Sequence, residues 1–211
     1  MNLLSLFAVG FILGLTGAMA PGPLLTVTIS EATKRGGLVG PTLVLGHGIL
    51  ELALLILIVL GLGSVLQHPT IFGVISLVGG AVLILMAVSI VRGLKGYAVA
   101  GPISGETRGL HPILSGILVS AANPYWFIWW LTVGMGYVVI AKGSGLAGIM
   151  AFFGGHISSD LAWYSFVSYG IHYGGRWLSI RMLKAILFVC SLFLLLFGIF
   201  LLYKGWEFLA R

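Results

Sequence analysis

Gly17-Ala18-Met19-Ala20-Pro21-Gly22-Pro23 interrupts an uncharged apolar run over residues 3–29. The run has the length and composition of a membrane span. Pro21 and Pro23 lack a backbone donor and clash with the preceding helical turn. Gly22 between them is free to take unusual dihedrals. A helix through this point is expected to kink or break. In hydrocarbon the freed backbone groups must be buried against protein or line a wet cavity. Interrupted spans are a pointer to binding sites in transporters, although proline and glycine are also common in membrane helices without that role.

The composition agrees with a membrane setting. Of 211 residues, 59% are hydrophobic and only 8% are charged, with a mean hydropathy of +1.14; a soluble domain carries about 25% charged residues. Little chain remains for a soluble domain. The 32 glycines fit close helix packing in lipid. The net charge of +6 does not imply nucleic acid, because Lys34-Arg35 is the main basic cluster and most other basic residues sit at span ends. Cys190 is the single cysteine, lies in an apolar run and reads as a small packing residue. Ala18-Met19-Ala20 looks like a signal cleavage site, but residues 1–10 carry no basic side chain, so the first span is expected to be retained.

The pattern predicts an all-α integral membrane protein with six spans, over residues 3–29, 42–62, 71–91, 113–140, 145–169 and 185–203. A short turn through Ser64, His68 and Pro69 precedes the third span, a polar linker occupies 92–112, and a loop holds Arg176, Arg181 and Lys184. The tail over 204–211 is expected to be frayed or interfacial, with Trp206 as an anchor. Loops after the first, third and fifth spans hold eight basic residues (Lys34, Arg35, Arg92, Lys95, Arg108, Arg176, Arg181 and Lys184), against three elsewhere (Lys142, Lys204 and Arg211). The basic side should face the cytoplasm.

The chain also reads as two halves within one membrane domain, 1–91 and 113–211, joined by the loop 92–112. Ala20-Pro21 in the first span has a counterpart in Asn123-Pro124 in the fourth. Gly46-His47 matches Gly155-His156, and an acid follows each histidine by four residues, Glu51 and Asp160. With three spans per half, the second copy would enter the membrane from the opposite side. The expected architecture is two inverted-topology repeats of three helices, with broken helices 1 and 4.

Glu51 and Asp160 lie deep within apolar runs. An ionisable residue in such a place usually faces a cavity or a partner. Helical spacing puts His47 on the face of Glu51 and His156 on the face of Asp160. A pseudo-twofold axis would bring the two pairs together near the centre. Burial favours a neutral carboxyl, whereas a nearby histidine or a cationic substrate favours the carboxylate. That competition is a physical basis for exchanging protons against a solute. A structural polar clamp would use the same residues, as would a divalent metal held by His47, Glu51, His156 and Asp160. An intramembrane enzyme centred on these four side chains and a non-transporting scaffold are further alternatives. No zinc-hydrolase His-Glu-x-x-His motif and no phosphate-binding loop is present, and no cofactor is expected.

Unpaired helix-start amides favour an anion and unpaired helix-end carbonyls a cation. Two breaks thus suit a zwitterion such as an amino acid. Asn123 beside its proline is the best further candidate for ligand contact; Thr16, Thr26 and Thr28 can also donate, although threonine often bonds back to its own helix. Tyr125 and Trp126 open an aromatic block that runs to Trp130, and some of its rings are candidates for a gate or cavity wall. Lipid-facing packing is the alternative for any single ring. Trp163, three residues after Asp160, can share its face. The Gly10/Gly14 and Gly170/Gly174 spacings suit helix or dimer contacts.

Together these features resemble the LysE/RhtB family of amino acid exporters, the LysE-type translocators. The residues that carry the resemblance are the Gly17–Pro23 stretch, Gly36 soon after it, Asn123-Pro124 with its aromatic run, and Gly155 with Asp160 and Trp163. It covers essentially the whole chain. It implies a small multi-pass protein of the prokaryotic inner (plasma) membrane that exports amino acids by proton-coupled antiport and is not an enzyme. It also implies membrane lipid as surroundings and a homodimer as the assembly. The site residues it carries over are Pro21, Gly22, Pro23, Asn123, Pro124 and Asp160. The His47-Gly48-x-x-Glu51 element is more charged than in many exporters of this kind, which keeps a cationic substrate or a metal open.

Overall fold

The computed structural model describes residues 1–61, 68–94, 110–174 and 180–210. They form an all-α bundle, with no strand among the described residues. The helices are α1 (Leu3–Ala18), α2 (Pro23–Arg35), α3 (Val39–Val59), α4 (Pro69–Gly93), α5 (Pro112–Ala121), α6 (Pro124–Trp129), α7 (Met135–Lys142), α8 (Gly145–Gly174) and α9 (Ile180–Leu209). A π-helical turn, Trp130–Gly134, joins α6 to α7.

The first proline stretch does break the helix. α1 and α2 meet at an angle of 73°. Pro23 occupies the first turn of α2, where its missing donor costs nothing. α2 ends at Gly36, whose φ of +89° is open to glycine and strained for other residues. The second break lies between Ala121 and Pro124, and there Asn123 Oδ1 accepts the Tyr125 backbone N–H at 3.1 Å.

Three stretches are long and apolar enough to cross a membrane: Val39–Val59, Pro69–Gly93 and Lys184–Leu209. The bent α1–α2 pair makes up to four. The expected count of six is therefore not reached by length and apolarity. The fourth expected span is cut into α5, α6, the π turn and α7. The fifth is long enough as α8, but His156, Ser158, Ser159 and Asp160 dilute its apolar character.

Other boundaries also differ from expectation. α8 extends to Gly174, and Arg181 and Lys184 lie inside α9 rather than in a loop. Residues 204–209 are helical, not frayed. Two contacts explain the longer helix: Gly205 packs against the Gly73 carbonyl at 2.9 Å (measured from the position of an added Cβ), and Lys204 pairs with Glu207 at 2.8 Å. Trp206 is exposed. His68 and Pro69 start α4, whereas Ser64, Arg176 and most of the 92–112 linker fall outside the described residues.

Glycine decides how the helices meet. A Cβ at Gly10 would strike the Phe152 carbonyl, and one at Gly155 would strike the Phe7 carbonyl, so α1 and α8 touch backbone to backbone. The α5–α3 contact is built the same way, with Gly116 on the Leu43 carbonyl and Gly46 on the Ile113 carbonyl. α4 and α9 meet through Gly80 with Gly198 and Gly73 with Gly205. Such contacts replace the hydrophobic drive that is missing between helices in lipid. Gly10 and Gly14 thus serve a contact within the chain, whereas a Cβ at Gly170 would meet open space.

Of three apolar cores among the described residues, one lies between α4 and α9 (Leu83, Ala87, Leu194 and Leu201), and the other two lie toward opposite ends of α3 and α8. One gathers Leu54, Leu55, Phe152, Trp126, Trp129 and Trp130. The other gathers Leu24, Leu43, Val44, Tyr164 and Leu187. Between them along α3 come His47 and Glu51, and along α8 His156 and Asp160. Cys190 is buried and free, as a packing residue should be.

Candidate functional site

The two His-x-x-x-acid pairs, far apart in sequence, converge on one buried cluster. His47 and His156 both place Nε2 at 3.1 Å from Glu51 Oε1 and at 3.6 Å from Asp160 Oδ2. Glu51 is fully buried, and Asp160, His156 and His47 are nearly so. One turn of helix separates histidine and acid within each pair, so each helix presents both from one face.

The aromatic block supplies the next layer. Trp126 and Trp130 donate their indole N–H groups to Glu51 Oε1 at 2.9 and 2.8 Å. The Trp129 ring lies over the His156 ring, with centroids 4.5 Å apart. All three indoles are buried, so the lipid-facing alternative does not hold for them. Their placement follows from the local backbone: Trp126 and Trp130 are four residues apart, and the widened turn starting at Trp130 ends the regular helix at the point of contact. His47 Nδ1 meets Ser120 Oγ at 2.7 Å, which ties α3 to the last turn of α5.

A cavity of about 60 Å³ opens beside the cluster. Its wall includes the cluster's four side chains together with Gly17, Ala18, Leu24, Asn123, Tyr125 and Tyr164. The two breaks adjoin one another here, since an added Cβ on Gly22 would come within 4.0 Å of Asn123 Nδ2. Pro21, Gly22 and Pro23 form the bend beside the cavity rather than the wall itself, and Pro124 begins α6.

Several expected contacts resolve differently. Thr16, Thr26 and Thr28 bond back to Leu13, Gly22 and Leu24 carbonyls of their own chain segment, at 2.7, 3.0 and 2.8 Å. Trp163 packs with Phe166 and against the second core, and it is Tyr164 that reaches the wall, with its hydroxyl donating to the Ala18 carbonyl at 3.4 Å. Tyr164 lies four residues after Asp160, so helical spacing points to it better than to Trp163. Leu24, Ser120 and Tyr164 are the site residues that sequence reasoning missed, while Trp129 and Trp130 fall within the aromatic block expected to wall the cavity.

Ionisable groups inside a membrane bundle and interrupted helices are both features that membrane translocators use. The chain belongs to the LysE family: the profile of the LysE type translocator matches residues 15–205. No curated protein and no solved structure gives a match. The protein is thus a multi-pass, membrane-embedded small-solute transporter, and the intramembrane enzyme falls away because the family consists of translocators.

Proposed function

We propose that this protein is a secondary exporter of amino acids or closely related small solutes, coupled to proton antiport, in the inner membrane of a prokaryote. The observation that carries the reading is the buried His47–Glu51–His156–Asp160 cluster at the meeting point of the two broken helices. Glu51 and Asp160 would exchange protons against the ammonium of the solute. The helix starts at the breaks, with Asn123, would take its carboxylate.

Transport would open this cavity to one side of the membrane and then to the other. Two inverted repeats, 1–91 and 113–211 joined by 92–112, would supply the motion by rocking about the cluster. Reciprocal packing supports this reading. The first helix of each half lies on the histidine-bearing helix of the other, α1 on α8 and α5 on α3, and the third helices, α4 and α9, lie on each other. The family resemblance adds a homodimer as the working assembly.

Counterflow in proteoliposomes tests the proposal. Vesicles preloaded with each amino acid of a panel should take up labelled solute in a saturable way, and the Glu51→Gln, Asp160→Asn double variant should not. Folded wild-type protein that exchanges no amino acid would overturn it.

A further inference from the structure

The distances within the central cluster describe more than a set of ion pairs. Four ligand atoms, one each from His47, Glu51, His156 and Asp160, lie within 4.8 Å of one another. The four edges between a histidine Nε2 and a carboxylate oxygen are 3.1, 3.1, 3.6 and 3.6 Å. A tetrahedral ion with bonds of about 2.0–2.1 Å needs edges of roughly 3.3–3.4 Å. Four of the six edges thus bracket that value, and the other two, nitrogen to nitrogen and oxygen to oxygen, lie within 4.8 Å, so a small closure of the cluster brings all four donors onto one ion.

We propose that His47, Glu51, His156 and Asp160 form a tetrahedral site for a divalent transition metal ion of the zinc and cobalt class. The donor set favours this class. Two imidazoles and two carboxylates suit zinc or cobalt, while calcium and magnesium ask for six or more oxygens. Two carboxylates balance a dication, so the loaded cluster is neutral in a setting where net charge is expensive.

The surroundings support three of the four ligands, while His156 Nδ1 is buried with no hydrogen-bond partner among the described residues. With its proton on Nδ1, where Ser120 Oγ at 2.7 Å can accept it, His47 leaves Nε2 free for the ion. Trp126 and Trp130 orient Glu51 through its Oε1. Asp160 Oδ2, which is buried and has no hydrogen-bond partner among the described residues, points into the cluster. Oε1 of Glu51 is approached by four nitrogens, while Oε2 has no hydrogen-bond partner among the described residues. An ion between the two Nε2 atoms and Oε1 relieves that crowding.

The site also joins α3 to α8, hence one half of the chain to the other. A bound ion would pin the two helices and oppose the opening that solute exchange needs. This last consequence rests on the transport reading, but metal binding does not.

The test is made on full-length protein in detergent, stripped with a chelator and titrated with Co²⁺ and Zn²⁺. The expected result is one ion per chain and the intense visible bands of tetrahedral Co²⁺. Binding should be lost in His47→Ala and His156→Ala and weakened about tenfold in Ser120→Ala, which keeps all four ligands. No saturable binding by folded wild type, an octahedral Co²⁺ spectrum, or unchanged binding in both histidine variants would overturn the proposal. Counterflow with and without Zn²⁺ separates this result from the transport reading. Exchange without metal binding sinks the site and keeps the exporter, and metal binding without exchange does the reverse. Zn²⁺ reaching an entrapped dye keeps the site and replaces the amino acid as cargo.

Discussion

At the first break the chain turns by 73°, and α2 starts from Gly22 with no side-chain cap. At the second break Asn123 caps α6 with its own side chain, and a π turn follows within the next two helical turns. The first break relies on two prolines and a bare backbone to redirect the helix. The second uses a cap to restart it at once and sends two indoles to Glu51. The difference extends to the acids. Glu51 accepts both indole N–H groups at hydrogen-bond length, whereas Asp160 approaches the histidines only at 3.6 Å. Glu51 is tied by two short indole bonds and Asp160 Oδ2 by none, so two acids at the same spacing from a histidine need not carry equal weight.

That inequality can be broken most directly at the acids. Glu51→Gln keeps an acceptor for the indoles but gives up the charge. Hydrogen bonds to charged groups are worth about 1.5–3 kcal/mol, against about 0.5–1.5 for neutral ones. Counterflow is expected to fall about 100-fold in Glu51→Gln and about tenfold in Asp160→Asn, each tenfold step corresponding to about 1.4 kcal/mol. Equal losses would show that the two acids act as one unit despite their different surroundings.

A smaller effect is expected at the caps. Asn123→Ala removes the bond to the Tyr125 N–H and should cost about 1 kcal/mol, read as a lower melting temperature in detergent. The smallest belongs to Gly22→Ala. Gly22 has an extended backbone at φ −105°, and an added Cβ would find its nearest neighbours at 3.8 and 4.0 Å. Stability should change by less than about 0.5 kcal/mol. If Gly22→Ala proved as damaging as Asn123→Ala, the first break would depend on backbone freedom that its static geometry does not require.

Much of this was legible because proline and buried charge are unambiguous signals. Pro23 and Pro124 start new helices where they were expected to, and both follow from the missing N–H. The spacing of His47 with Glu51 and of His156 with Asp160 placed each pair on one helix face. What stayed hidden depends on how the chain turns between such marks. Trp126 and Trp130, four residues apart, share a helix face, but that this face meets Glu51 instead of lipid is set by how α6 restarts after the second break, which no single residue announces. Ser120 is one serine among many until α5 lies against α3. The C-terminal turns of α9 looked polar, but Lys204 and Glu207 satisfy each other and Gly205 is seated against α4.

The seam between α4 and α9 has a consequence for how much this part of the chain must specify. Contact there runs through Gly73, Gly80, Gly198 and Gly205, while Val78, Leu85, Phe188, Val189, Leu196 and Phe200 face outward. Much of the information that registers one helix on the other is written at these four positions, where the required letter is the smallest one, and the rest at the buried Leu83, Ala87, Leu194 and Leu201. The outward letters need only be oily, so the lipid side of these two helices is free to drift in spelling while its message stays the same.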